Sequence, residues 1–378
     1  MPWQECSVES LRQEFVGLAS QEHANIRQLC RRFSISPDTA YTLLARYRQE
    51  GEGGLRGRSR RPLRSPTQTA PAIEAEVCAV RIAHPAWGGR KIRRYLLDRA
   101  APAVPAASTI TGILRRHGLL DPGEAAKHRA WQRFEAAAPN DLWQMDFKGH
   151  IAVRTGRCHP LTVLDDHSRY SLAVEACGDE QTGTVQSRLV PLFARYGMPW
   201  QMLMDNGAPW GDRHGPYTRL TIWLMRLGIT VSHGRPYHPQ TQGKEERFHR
   251  TLKAEALGGE TFADLAAAQA AFDCWRVSYN QERPHEALAM ATPSSRYVPS
   301  PRCYPAALPV IVYAADDAIR KVQSEGAVHF AGRVFRVSKA LRGERVAVRP
   351  TLIDGVWTIH FMTHRIAQID LRDPVKEG

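Results

Sequence analysis

Three acidic residues stand in three different backbone settings, and few folds can bring them together. Asp146 lies within Trp143-Gln-Met-Asp146-Phe147, an apolar run that reads as a strand. Asp205 follows a second buried run, Gln201-Met-Leu-Met204, and precedes the turn pair Asn206-Gly207. Glu246 lies in a helical pattern that starts at Gly243. A strand residue, a strand-end residue and a helix residue converge over one sheet edge if the chain forms an α/β sheet with helices packed on it. Three carboxylates without Cys or His suit hard divalent cations, which prefer oxygen ligands and keep several waters. Two such ions about 3.5–4 Å apart neutralise charge on the attacking and leaving oxygens of a phosphodiester.

Glu245 rivals Glu246. On a helix the two point about 100° apart, so only one joins the cluster. Glu246 shares its face with Arg250 and Lys253 at i+4 and i+7, which would pair one metal ligand with two phosphate-binding cations. Asp165 and Asp166 close a strand before His167-Ser168-Arg169 and read as turn-forming acids.

The charge balance agrees with a polyanionic partner. Lys and Arg total 51 against 38 Asp and Glu, a net charge of +13 and a pI near 9.7. Seven scattered cysteines without Cys-x-x-Cys argue against a disulfide framework or a zinc site. Met1 to Glu5 lacks the basic start and apolar run of a signal peptide, and no stretch reaches the ~20 apolar residues of a membrane span. The expected setting is cytoplasmic and DNA-associated, with no membrane partner.

The chain predicts a multidomain order. Residues 1–52 read as a helix-turn-helix: Ile26, Leu29, Cys30 and Phe33 mark one helix, and Ser36-Pro37-Asp38 caps another that buries Ala40, Leu43, Leu44 and Tyr47. Thr39, Thr42 and Arg46 remain on its outer face, where a DNA groove could be read. Residues 53–71 form a Gly/Pro/Arg linker whose Arg56, Arg58, Arg60, Arg61 and Arg64 could follow phosphates. Residues 72–125 read as a second helix-turn-helix, with Lys91 and Arg94 on a basic helix. Residues 140–300 change to short β-branched strands alternating with helices. Residues 308–374 read as a small β-barrel, with Asp354-Gly355 marking a hairpin. Arg333, Arg336, Arg345 and Arg349 alternate along its strands.

Several motifs resemble those of insertion-sequence transposases of the retroviral-integrase (DDE) superfamily. They are Trp143 to Phe147, Asp165-Asp-His-Ser-Arg169, Asp205-Asn-Gly207, Pro239-Gln-Thr-Gln-Gly243, Glu246-Arg-Phe-His-Arg-Thr-Leu-Lys253 and Tyr279-Asn-Gln-Glu-Arg-Pro-His285. The resemblance implies an RNase H-like core, two Mg²⁺ or Mn²⁺ ions per site, and Asp146, Asp205 and Glu246 as their ligands. In that family the final Glu stands two helical turns before a Lys, as Glu246 stands before Lys253. The interval from Asp205 to Glu246 is longer than usual, and an inserted loop around Trp210 to Tyr217 would absorb it. Helix-turn-helix units stand where retroviral integrases carry a zinc module. The implied activity is cleavage at the ends of a mobile element and transfer of the 3′-OH ends into target DNA. Double-stranded terminal inverted repeats and target DNA are the implied partners, Gln240, Gln242, Lys244, Arg250 and Lys253 the implied contacts near the site, and a homodimer or tetramer on paired ends the implied assembly. A catalytically inactive regulator using only the helical units is the alternative, and a ribonuclease of the same fold a third.

Overall fold

Side-chain caps start all three helices of the first unit. Ser7 accepts from the Ser10 amide at the head of α1 (Val8–Ala19), Asn25 from Gln28 at α2 (Ile26–Arg32), and Ser36 from Thr39 at α3 (Pro37–Glu50). Phe15, Val16, Cys30, Ala40, Leu43, Leu44 and Leu55 fill the space between them. Tyr47, expected in that core, is instead 36% exposed. Leu55 is folded in by a 3-10 turn, Gly51–Leu55, after α3. Gly54 permits this, since a Cβ there would stand 2.6 Å from the Arg46 carbonyl oxygen.

The computed structural model describes residues 7–57, 68–120, 135–211, 216–234, 243–258 and 261–373. The chain divides into two compact units, Met1–Gln68 and Thr69–Gly378. The second helical segment therefore shares a unit with the α/β region.

In that segment α4 (Pro71–Ala83), α5 (Gly89–Asp98) and α6 (Ala107–Arg116) enclose Val77, Trp87, Ile92, Leu96, Ile110, Ile113 and Leu114. Gly89 lets α5 approach α6, because a Cβ would meet the Ala107 carbonyl at 2.4 Å and Thr111 Oγ1 at 2.6 Å. Gly89→Ala should therefore destabilise the fold by about 1–3 kcal/mol, the usual cost of overpacking. A urea midpoint equal to that of the wild type would contradict this close approach.

The α/β region is built on β1 (Leu142–Phe147), β2 (Ile151–Val153), β3 (Gly156–Asp165), β4 (Ser171–Cys177), β5 (Gln201–Met204) and β6 (Thr230–His233). β3 lies between β1 and β4, both antiparallel to it; β5 and β6 continue beyond β1 in parallel; β2 forms a hairpin on the start of β3. This is the expected α/β core. On one face, α7 (Thr182–Tyr196) and α8 (Arg219–Arg226) bury Val185, Leu189, Phe193, Leu220 and Leu224 against Trp143, Met145, Leu161 and Val163. On the other, α9 (Gly243–Glu255) and α10 (Leu265–Gln281) bury Phe248, Leu252, Phe272 and Trp275 against Leu164, Val174 and Ala176. Strand alternation decides the rest. With Trp143 and Met145 facing α7 and α8, Gln144 and Asp146 face α9.

The motif from Tyr279 to His285 secures this second layer. The Asn280 side chain accepts from the Ser171 amide at 2.8 Å and donates to its carbonyl at 2.9 Å. Arg283 donates to Glu255 Oε1 at 3.1 Å, both side chains being 8% exposed, and Trp275 Nε1 donates to Glu255 Oε2 at 3.0 Å. Removing one partner of a buried ion pair costs about 3–5 kcal/mol. Arg283→Ala should therefore lower the unfolding free energy by about that much, and an unchanged melting curve would count against the pair.

The C-terminal region corrects the expected barrel. β7 (Ala318–Lys321), β10 (Arg345–Pro350), β11 (Val356–Phe361) and β12 (His364–Asp370) form an open antiparallel sheet in the order β12-β11-β10-β7. Among the described residues β8 (Ala327–Phe330) and β9 (Arg333–Arg336) pair only with each other, so this ribbon does not close the sheet. The Asp354-Gly355 turn does join β10 to β11, with Gly355 at φ +79°. Ile222 and Met225 of α8 pack into the core of this sheet with Val346, Ile359 and Phe361. Among the described residues no helix is long and apolar enough to cross a membrane.

Candidate active site

The parallel pairing of β1 with β5 aligns Gln144 with Leu203. Continued two residues further, that register sets Asp146 beside Asp205. Asp146 Oδ1 accepts from the Phe147 amide at 2.8 Å, and Asp205 Oδ1 from the Gly207 amide at 3.0 Å. The turn after β5 is tied down by Asn206, which donates to the Gly234 carbonyl at 2.7 Å. His233 Nδ1 donates to the Asp205 carbonyl, also at 2.7 Å.

Burial, and then the facing Asp205 carboxylate, push Asp146 up to about 7 from an ordinary 3.8. Burial also raises Asp205, against the opposing Gly207 amide. The pair thus holds more negative charge than its surroundings neutralise. A divalent cation would replace the proton that Asp146 otherwise retains, and an all-oxygen donor pair fits a hard cation.

Those shifts predict how stability follows pH. Folded Asp146 binds its proton more tightly than unfolded Asp146, so it lowers stability as pH rises from about 4 to about 7, and the loss is constant above that. Three pKa units set a ceiling of about 4 kcal/mol, and the partial exposure of the side chain reduces it to about 2 kcal/mol. Metal-free Asp146→Asn should therefore be more stable than wild type at pH 7.5, with the difference vanishing near pH 4. Equal stability at both pH values would contradict the crowding of the two carboxylates.

The two candidate glutamates diverge as helical geometry requires. Glu245, Phe248, His249 and Leu252 line the inward face of α9, whereas Glu246, Arg250 and Lys253 are exposed on its outer face. Glu245 shares a narrow cleft with Gln144, Met145, Asp146, Leu203 and Met204. Burial, with Asp146 nearby, holds its carboxyl well above the ordinary carboxylate range. Among the described residues no group of three or more His, Cys, Asp or Glu is arranged so that it could hold a metal ion. Asp146 and Asp205 face each other, and Glu246 is exposed in the first turn of α9.

His249 and Thr162 were not singled out from the sequence. Thr162 faces Asp146 across the β1–β3 pair. Its Oγ1 lies 2.9 Å from His249 Nε2, and His249 Nδ1 lies 4.0 Å from Asp146 Oδ2. Burial, and secondarily Lys148, lower His249 to about 4, so its imidazole is neutral at pH 7. The signals available for His249 were its place on the apolar stripe of α9 and within the Glu246 to Lys253 motif. Thr162 had none, because its position depends on sheet register.

Asp165 serves the turn, whereas Asp166 ties together distant segments. Asp165 accepts from the Asn140 amide and from the Ser168 amide and hydroxyl, at 2.6–2.8 Å. Asp166 accepts from the Ala136 amide, the Gln144 side chain and Lys244. Lys244 thus binds a buried carboxylate rather than presenting a free amine.

Other expected DNA contacts are distributed. Thr39 and Thr42 are exposed on α3, while Arg46 Nη2 turns back to the Arg56 carbonyl at 3.1 Å. Arg56 is exposed, 3.6 Å from Glu9. Arg94 pairs with Asp98 on α5 at 2.8 Å. Lys91 is half-buried, and burial, with Arg283 nearby, lowers it to about 8. Arg349 makes a bidentate pair with Asp317, at 2.7 Å for both contacts. Arg58, Arg60, Arg61, Arg64, Gln240 and Gln242 lie outside the described residues.

With this geometry in place, the likeness to known proteins is informative. Residues 136–239 and 227–293 each match an integrase core domain. Residues 11–62 match a helix-turn-helix domain, and residues 39–114 a homeodomain-like domain. The integrase-core matches thus cover the α/β sheet with its helices, and the helix-turn-helix matches cover the helical segments ahead of it. Residues 317–376 match the C-terminal domain of IS481 family transposases, so the chain is similar to insertion-sequence transposases in its C-terminal region as well as to integrases in its core. An uncharacterised 31.7 kDa protein of insertion element IS407 from Burkholderia multivorans is 31% identical over 159 residues, 42% of this chain and 55% of that protein. An uncharacterised 39.2 kDa protein of insertion element IS476 from Xanthomonas euvesicatoria is 27% identical over 241 residues, 61% of this chain and 65% of that protein. The chain thus spans 55% and 65% of those two relatives. The catalytic core domain of BIV integrase is 26% identical, with a TM-score of 0.32, and the match covers 41% of this chain and 92% of that one.

Proposed function

We propose that this protein is an active, metal-dependent DNA transposase that cleaves the ends of a mobile element and joins their 3′-OH ends to target DNA. The observation that carries the reading is the pair of crowded aspartates, Asp146 and Asp205, at the ends of neighbouring parallel strands within an integrase core. Asp146, Asp205 and Glu246 would hold Mg²⁺ or Mn²⁺, two ions per site, which would activate the attacking oxygen and stabilise the leaving one.

Glu246 is preferred over Glu245 on physical grounds. A magnesium ligand must meet an ion that retains waters and contacts substrate phosphate, which an exposed carboxylate can do. Glu245 is 4% exposed. Arg250 and Lys253, exposed beside Glu246, would bind the phosphates that flank the scissile bond. The helical domains would bind double-stranded terminal repeats, and two protomers or more would bring paired ends together.

The test is cleavage of a labelled duplex carrying the element end. Cleavage should occur in Mg²⁺ or Mn²⁺, stop with chelator and return on readdition of metal. Undiminished cleavage in chelator would overturn the reading.

A further inference from the structure

Glu245 occupies a core position of α9, at i and i+7 with Leu252 and i+3 with Phe248, where packing favours an apolar side chain. What it touches is specific. Its Oε2 lies 3.3 Å from Thr162 Oγ1 and 3.6 Å from His249 Nε2. Thr162 Oγ1 in turn donates to the backbone carbonyl of Asp146 at 3.0 Å. Glu245 is 4% exposed and Thr162 fully buried, so water does not compete for these bonds. A neutral His249 carrying its proton on Nε2 would donate to Thr162 Oγ1, whose single hydrogen is then shared between the Asp146 carbonyl and Glu245 Oε2. The network therefore joins one turn of α9 to the strand residue that carries the first carboxylate.

We infer that Glu245, Thr162 and His249 form a positioning clasp that fixes the rotation of α9 against β1 and so sets where Glu246 stands relative to Asp146. Residues 245 and 246 are separated by about 100° around the helix, so a small rotation of α9 displaces the Glu246 carboxylate along the sheet edge. Apolar contacts from Phe248 and Leu252 hold the helix down but resist rotation less than directional hydrogen bonds do. None of the three residues need touch DNA or metal. The inference rests on the assignment of Glu246 as a metal ligand.

Thr162→Val removes the hydroxyl at nearly constant volume, and Thr162→Ser keeps it. On pre-bound element ends, Thr162→Val should slow single-turnover joining roughly tenfold or more, the scale of a slightly misplaced catalytic group. It should also raise the Mg²⁺ concentration giving half the maximal rate, with end affinity unchanged. Thr162→Ser should restore both. Glu245→Gln, which keeps an acceptor and adds a donor, should stay closer to wild type than Glu245→Val. These paired comparisons keep the test informative even if Thr162→Val folds poorly. Wild-type joining and metal dependence in both Thr162→Val and Glu245→Val would overturn the clasp while leaving the triad intact. An active Glu246→Gln with an inactive Glu245→Gln would instead overturn the triad assignment on which the clasp depends.

Discussion

Asp146→Asn, Asp205→Asn and Glu246→Gln should each lower cleavage and strand transfer roughly 10³-fold or more, equivalent to about 4 kcal/mol of transition-state stabilisation. Each replacement keeps the side-chain shape and removes one negative charge from a cation site. Asn at 146 can still accept from the Phe147 amide, and Asn at 205 from the Gly207 amide, so the local backbone should persist. Binding to the element end should be nearly unchanged, because the helical domains lie elsewhere in the chain. A gel-shift assay beside a strand-transfer assay separates the two properties. Near-normal joining by Glu246→Gln would move the third role to Glu245, whose carboxyl lies in the cleft beside Asp146.

Removing residues 1–68 should have the second-largest effect. These residues form their own compact unit, with their own core of Phe15, Val16, Ala40, Leu43 and Leu44. Thr39 and Thr42 on α3 are exposed and available to base edges. Loss of this unit should lower affinity for the terminal repeat by roughly 10³-fold, to the level of random duplex, since specific recognition commonly exceeds non-specific binding by that much or more. Wild-type binding should weaken steeply with salt, each phosphate contact adding a slope of about −0.9 on a log–log plot. A truncated protein that still prefers its terminal repeat would assign recognition to α4–α6 or beyond.

Much of this molecule was legible because its patterns are local. Ser36-Pro37-Asp38 announced a capped helix, and Ser36 does cap α3. The run from Gln201 to Met204 had to be a buried strand, and it is. Asp165 reads as a turn acid and accepts from the Ser168 amide and hydroxyl there, whereas Asp166 reaches Ala136 and Gln144 instead. The failures come from interactions across the chain. Closure of the C-terminal sheet depends on which strands pair, and alternation within β8 and β9 does not reveal that they pair only with each other. Tyr47 had the correct helical spacing but lies where α3 ends and Leu55 takes the interior place. The pairing of Lys244 with Asp166, distant in sequence, was likewise not readable from local pattern. The clasp could not be read at all, since Thr162 meets Glu245 only through the register of β1, β3 and α9.

Exchange of a carboxylate for a thiolate tests metal ligation at Asp146 and Asp205 most directly. A thiolate is a softer ligand, poor for Mg²⁺ and better for Mn²⁺. Asp146→Cys and Asp205→Cys should be inactive in strand transfer with Mg²⁺ and recover at least roughly tenfold with Mn²⁺, whereas wild type should work with either ion. Full activity of either variant in Mg²⁺, or the same inactivity in both ions, would contradict a metal bound between these two strands.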